Sequence, residues 1–172
     1  MKLFISLLLL IICSTAIAQK GEIKDLEGYI DFGELSSVYG EPKVRINIGE
    51  KLLGFVGLIA KNEDEDAAEL LRKLKAVRVE VYELNKDSGP AVNMLKEISE
   101  KLQSKGWEAV VTVQEKEEQV RIFVKISQDV IDGLVVMAVD DGGEGVFINI
   151  IGEIEPEQVG KVTRALDIDL DI

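Results

Sequence analysis

The chain has 172 residues, with 32 Asp and Glu against 20 Lys and Arg, so its formal net charge is −12. This acidic balance argues against nucleic-acid binding and against adsorption to anionic lipid, because both need clustered basic residues. The chain has no histidine and one cysteine, which argues against Ser-His-Asp and Cys-His catalysis and against zinc or haem sites.

The N-terminus has the pattern of a secretory signal peptide over residues 1–18. Lys2 precedes an apolar run from Leu3 to Ile12, and Ala16 and Ala18 form a small-x-small cleavage site before Gln19. A run of about ten residues is too short to span a bilayer as a helix. We therefore expect cleavage before Gln19 and no transmembrane anchor in the mature chain.

Lipidation of Cys13 is the alternative processing route, but it needs a small residue where Ile12 stands. Cleavage removes Cys13, so the mature chain can form no disulfide. It also removes one basic residue, Lys2, which moves the formal charge from −12 to −13. The leader predicts export, to a periplasm or the extracellular space, with association with a cell envelope as a further outcome.

The mature chain is long enough for one domain with a hydrophobic core. Residues 19–42 carry apolar side chains among polar neighbours, and we expect an N-terminal arm or short helix that packs on a sheet. A single domain is expected at residues 43–166. An acidic C-terminal tail follows at residues 167–172.

Strands and helices alternate in the first half of this domain. Alternating apolar and polar residues predict strands at Val44–Ile48 and Val77–Val81. Helical periodicity predicts one helix at Glu50–Lys61, a second that Asn62 would cap, and a third from near Ser88 that stops at Gly106.

Residues 107–152 read as a four-stranded antiparallel meander, and a last helix starts at Pro156. The elements together predict an α+β fold. We expect a two-layer sandwich, in which a mostly antiparallel sheet of about six strands carries helices packed on one face.

The helix at Glu50–Lys61 has almost no polar face. A helix that is apolar all round is either fully buried or in contact with a partner. We expect it to be buried in the core. Close approach of another helix or of a second protomer, which Gly54 and Gly57 would permit, is the alternative.

Two acidic segments are candidate cation sites. Asp140–Glu144 surrounds two glycines, but its spacing fails the EF-hand pattern, so a solvated hairpin turn is the preferred interpretation. Asp167, Asp169 and Asp171 alternate with apolar residues, which predicts an edge strand or a frayed tail rather than a cation site. We therefore expect no metal and no cofactor.

Basic and aromatic residues fall at alternate positions of the predicted strands. If the strands share one sheet, its solvent face carries a candidate binding face: Arg45, Arg78, Tyr82, Arg121, Phe123 and Lys125. Arginine on an otherwise acidic protein suits an anionic or aromatic partner. The alternative is that cross-strand pairs of Arg with Glu only keep an open sheet soluble.

Three segments resemble a bacterial exported family labelled domain of unknown function 4252: Gly28–Phe32, Val77–Glu83 and Phe147–Gln158. The similarity covers nearly the whole mature chain, and its most specific part is the segment 147–158. The resemblance implies an exported bacterial protein, in some members a lipoprotein, with no established activity and no catalytic residues to carry over. The poor lipidation motif at Cys13 departs from the lipoprotein members.

These features favour an exported, non-catalytic interaction module of the cell envelope, with another envelope protein or a second copy of the chain as its partner. The alternative is a carboxylate-dependent, glycosidase-like hydrolase, because such an enzyme needs two carboxyl groups and no histidine. No residue of the chain is assigned a catalytic role.

The leader generates a first prediction, that protein recovered after export begins at Gln19. The physical reason is that Ala16 and Ala18 satisfy the small-residue requirement for cleavage, whereas Ile12 does not suit lipidation. Sequencing of the N-terminus checks it. Recovery of a lipid-modified Cys13 would contradict it.

Overall fold

A computed structural model describes residues 23–62, 64–83, 89–115, 118–140 and 143–155. The predicted signal peptide, the predicted helix from Pro156 and the acidic tail at 167–172 lie outside the described residues.

The described chain consists of short helices and six strands. A single 3-10 turn at Ile23–Asp25 precedes them. The elements follow in the order α1 Gly33–Tyr39, β1 Val44–Gly49, α2 Glu50–Ala60, α3 Glu65–Lys73, β2 Leu74–Glu83, α4 Gly89–Ser104, β3 Trp107–Gln114, β4 Glu118–Ser127, β5 Val130–Asp140 and β6 Glu144–Ile154.

The six strands form one antiparallel sheet in the order β1-β2-β6-β5-β4-β3. Consecutive pairing of β3, β4, β5 and β6 confirms the predicted meander, and the sheet with its helices confirms the α+β fold. β6 lies between β5 and β2, so the last described strand joins the meander to the antiparallel pair of β1 and β2.

Both faces of the central strands are buried, because the residues of β5 and β6 are apolar at successive positions. One core cluster contains Val135 and Phe147 with Leu95 of α4. The other contains Val136 and Ile148 with residues of α2 and α3. The expectation placed helices on one face, whereas the structure has α1 and α4 against one face and α2 and α3 against the other.

The start of α3 is fixed by Asp64 rather than by Asn62, which was the predicted cap. The Asp64 side chain accepts a hydrogen bond from the backbone N–H of Ala67 at 2.9 Å. A carboxylate at this position satisfies a free N–H group and opposes the positive end of the helix dipole.

The segment before α1 is fastened to the sheet through the backbone of Ile30. Asn149 on β6 is fully buried, and its Oδ1 accepts a hydrogen bond from the Ile30 N–H at 3.1 Å. Its Nδ2 donates to the carbonyl oxygen of Gly28 at 2.9 Å. Arg78, which faces Asn149 on β2, donates through Nη1 to the carbonyl oxygen of Ile30. We call this arrangement the Ile30 clamp.

Gly28 is required at this point by close packing. A Cβ atom added there would lie 2.0 Å from the carbonyl oxygen of Asp132 on β5 and 2.8 Å from the Cα of Gly133. Both neighbours are backbone atoms, which cannot move aside as a flexible side chain can. The absence of a side chain at residue 28 therefore lets the segment reach the sheet.

The clamp generates a second prediction, that Asn149→Leu lowers the free energy of unfolding by about 2–4 kcal/mol, because it leaves buried backbone groups of Gly28 and Ile30 without partners. Urea unfolding measures the change. Asn47→Leu is the control, since Asn47 is an exposed asparagine of the same sheet, and it should change the value by less than about 0.5 kcal/mol. An Asn149→Leu effect as small as that of the control would show that the clamp does not stabilise the fold.

Candidate functional site

The strand register places the predicted binding residues on one face of the sheet. Arg45 pairs across strands with Glu80, which pairs with Phe147. Phe147 pairs with Met137, which in turn pairs with Arg121. Residues two positions apart on a strand share a face, so Arg78 and Tyr82 on β2 and Phe123 and Lys125 on β4 belong to the same face.

This face is covered, and the expectation that it meets solvent is wrong for its two aromatic residues. Tyr82 is 0% exposed and Phe123 is 1% exposed. Both belong to the core cluster that contains Phe32 and Leu35 from the N-terminal arm. The reason is that the arm and α4 pack over the face as a second layer.

Tyr82 is held in a polar network inside this layer. Its hydroxyl donates to Glu80 Oε2 at 2.6 Å and lies 3.4 Å from the Ser36 hydroxyl of α1. Arg45 Nε donates to Glu80 Oε1 at 3.2 Å, and the Arg45 side chain is about half exposed. Burial, followed by the hydrogen bond with Glu80, raises the pKa of Tyr82 to about 12.

An aromatic cluster surrounds Tyr82. The Tyr82 ring lies 5.5 Å from that of Tyr39 and 5.8 Å, edge-on, from that of Phe147, measured between centroids. Phe32 adds a fourth ring, 6.1 Å from Phe147. Burial, and then the negative charge of Glu97, raises the pKa of Tyr39 to about 12. These rings fill the layer between the sheet and α1.

Arg78 is also covered by the arm. Its guanidinium carbon lies 4.7 Å from the centroid of the Tyr29 ring and 5.2 Å from that of Phe32. Cation–π contacts of this kind stabilise a partly buried guanidinium. Arg78 therefore binds the arm of its own chain.

Arg121 and Lys125 hold α4. Arg121 Nη1 donates to the Ser99 hydroxyl at 2.7 Å and to the Leu95 carbonyl oxygen at 3.5 Å. Lys125 Nζ donates to the carbonyl oxygen of Lys105, just past the end of α4, at 2.6 Å. A cation at this end satisfies a free carbonyl and complements the negative end of the helix dipole.

A polar cavity of about 420 Å³ lies beside Arg121, between α4 and the β3–β4 hairpin. Its walls include Lys96 and Glu100 and several uncharged polar side chains, namely Asn93, Ser99, Gln103, Gln114 and Gln119. Arg121 is therefore a predicted binding residue that lines this polar cavity.

An acidic cavity of about 280 Å³ bears on the hydrolase hypothesis. It is lined by Asp25, Glu27, Asp132 and Glu153, together with Lys75. The Asp132 Oδ2 atom is buried and has no hydrogen-bond partner. Within the described residues no group of three or more acidic side chains is arranged to hold a metal ion, and no aromatic side chain is among those that line this cavity.

The largest departure from the expected burial is on α2. Its buried side carries Leu53 and Gly57, and a Cβ atom on Gly57 would lie 3.0 Å from the Ala68 carbonyl oxygen of α3. The opposite side of the helix carries large apolar side chains that are 41–62% exposed: Leu52, Phe55, Val56, Leu58 and Ile59. The prediction of a fully buried helix is therefore wrong.

Edge strand β1 carries two further exposed apolar side chains. Val44 and Ile46 are exposed. Ile46 pairs across strands with Val79, which packs against the core of the sheet face that α2 covers, and Val44, two positions earlier on β1, lies on the same face. We call the seven residues the α2 surface: Val44, Ile46, Leu52, Phe55, Val56, Leu58 and Ile59. The all-round apolar pattern of residues 50–61 is the sequence signal that marks it.

The fold and surfaces described here define an α+β protein built on one six-stranded antiparallel sheet. A family model described as a domain of unknown function (DUF4252) matches residues 39–162. The match spans more than half of the chain, and the chain belongs to this family. No curated protein matches the chain. The matched range contains Val77–Glu83, whereas Gly28–Phe32 lies before it.

Tyr82 generates a third prediction, on stability at high pH. Its folded-state pKa of about 12 lies above the unfolded value of about 10. Its contribution is therefore complete below pH 10 and is lost as the pH rises from 10 to 12. Tyr82→Phe should lower the free energy of unfolding near pH 8 by about 1 kcal/mol, because the hydrogen bond to Glu80 is lost. Above pH 10, the free energy of unfolding of this variant should decrease less than that of the wild type.

Melting temperatures of the wild type and Tyr82→Phe between pH 8 and 11.5 check this. Tyr39→Phe is the companion variant, because the pKa of Tyr39 is raised in the same direction. Equal losses of stability above pH 10 in the wild type and Tyr82→Phe would contradict the prediction.

Proposed function

We propose that the protein is an exported, non-catalytic binding module of the bacterial cell envelope and that the α2 surface is its contact site. The exposure of Phe55, at 59%, and Leu58, at 62%, is the observation that carries the proposal. The N-terminal leader pattern supports the exported location.

The α2 surface is as large as the apolar patches that are often functional on monomers. Its seven side chains are 41–62% exposed. Because six of them are aliphatic and smaller than an aromatic side chain of about 150–250 Å², they expose on the order of 500 Å² of apolar area together. The largest apolar patch on a typical monomer is about 300–600 Å² and is often functional. Covering the surface removes apolar area from water, which is the main favourable term in protein association.

The charge of the chain narrows the class of partner. A net charge of −12 disfavours nucleic acid and anionic lipid heads. A protein surface is therefore the partner that suits α2, either another envelope protein or a second copy of the chain. Within the described ranges, no helix is long and apolar enough to cross a membrane.

The predicted sheet residues enter the proposal only where they reach the surface. Arg45 does so beside Glu41, at 3.8 Å, and Arg121 does so at the polar cavity. Arg78, Tyr82, Phe123 and Lys125 instead contact the chain's own arm, core or helix α4.

A carboxylate-dependent hydrolase is the second candidate. The acidic cavity favours it, because Asp132 has a buried carboxylate oxygen without a partner. The cavity has no aromatic side chain among its described walls to serve as a platform for a sugar ring. This candidate differs from the module in depending on Asp132 rather than on Phe55.

The binding proposal generates a fourth prediction, that Phe55→Glu reduces crosslinked capture of partners in the native envelope at least tenfold. The reason is that a central aromatic side chain commonly dominates an interface and that burying a carboxylate there is costly. Quantitative mass spectrometry after crosslinking and affinity purification measures capture.

Val110→Glu is the matched control. Val110 is an apolar residue of edge strand β3 with 50% exposure, away from the α2 surface. It should leave capture unchanged. If Phe55→Glu folds normally and captures the same proteins at the wild-type level, the α2 surface is not the contact site.

A further inference from the structure

We infer that the occupant of the α2 surface is a second copy of the same chain, which packs its own α2 against it in a two-fold dimer. This inference rests on the proposed function, because it names the partner of the same surface.

The spacing of the exposed residues suits a helix–helix contact. Leu52, Phe55, Val56 and Ile59 follow the i, i+3, i+4, i+7 pattern that forms one stripe along a helix. Leu53 and Gly57 turn toward α3, so the stripe faces away from the chain's own core. The stripe runs along an 11-residue helix, about 16 Å long, so a second α2 matches its length.

The area of the surface reaches the smallest size of a specific interface. Two copies that each contribute on the order of 500 Å² of apolar area would bury about 1,000 Å² when the whole surface is covered, which is the size that a biological interface needs. Polar residues at the rim add to this area. The α2 surface together with this rim therefore has the size of a small dimer interface.

The electrostatics permit self-association at this place. An uncharged stripe complements itself, so a two-fold interface needs no opposite charges on its two sides. Antiparallel packing also sets the positive end of each helix dipole beside the negative end of the other. The net charge of each copy opposes dimerisation at long range, and salt screens that repulsion.

The exposure of α2 also disfavours other occupants. Short peptides that bind as helices lie in grooves, whereas Phe55 and Leu58 project from the helix with more than half of their surface exposed. Anionic lipid is disfavoured by the acidic charge of the chain. A second helix of the same shape and composition is the occupant that the surface fits.

The test is the oligomeric state of protein purified after export with its own leader, so that the chain is the one the cell makes. Sedimentation equilibrium between 1 and 200 µM should show a dimer, and raising the salt from about 0.15 to 0.5 M should strengthen it. Phe55→Glu should weaken the dimer at least about 100-fold while leaving the circular dichroism spectrum unchanged. Val110→Glu should dimerise as the wild type does.

A second variant gives an independent readout. Phe55 lies at the middle of α2, so an antiparallel two-fold contact brings the two copies of this residue near the axis. The only cysteine of the chain, Cys13, lies in the predicted leader, so Phe55→Cys introduces the sole thiol into a processed chain. Mild oxidation should link two copies of Phe55→Cys, whereas Val110→Cys should remain largely unlinked.

The outcomes separate the dimer from the proposed function. A wild-type monomer at 200 µM, or failure of Phe55→Cys to form a disulfide-linked pair, overturns the dimer. If the protein is monomeric and its capture of other envelope proteins still depends on Phe55, the dimer is wrong and the binding module stands. If it is monomeric and capture does not depend on Phe55, both are wrong.

Discussion

The backbone of Ile30 is held at both of its polar groups by two side chains that face each other across β2 and β6. Asn149 accepts from its N–H, and Arg78 donates to its carbonyl oxygen. In a sheet these groups would pair with a neighbouring strand, and here side chains take that role. This contact fixes the start of the segment that covers this face of the sheet.

The clamp determines what the rest of the face can do. With the arm in place, Phe32 and Leu35 pack on the sheet, and Tyr82 loses all contact with water. Its hydroxyl then needs an internal acceptor, which Glu80 provides. Glu80 is in turn a buried carboxylate and pairs with Arg45 at the edge of the sheet. Tyr82 and Arg45, which were predicted to bind a partner on an exposed face, thus contact Glu80 of their own chain.

Local patterns predicted the strands but not which sheet faces are covered. Alternation of apolar and polar residues marks a strand wherever it occurs, so β1, β2 and the meander could be located. The same alternation predicted that Arg78 and Arg121 lie on a solvent-exposed face. An alternating pattern does not show whether an arginine side chain meets water or the backbone carbonyl oxygens of an arm or helix, because a guanidinium can donate hydrogen bonds to both. The exposure of α2 could not be predicted for a similar reason, because composition does not reveal whether a further layer covers a helix.

The central position of β6 bears on how the chain reaches its folded state. β6 pairs with β5 on one side and with β2 on the other, and no other described strand joins these two parts of the sheet. Contacts between distant residues form slowly, because a long loop must close before they can be made. The chain is synthesised from its N-terminus, so β2 keeps an unpaired edge until residues 144–154 are available. Completion of the sheet therefore depends on the last described strand.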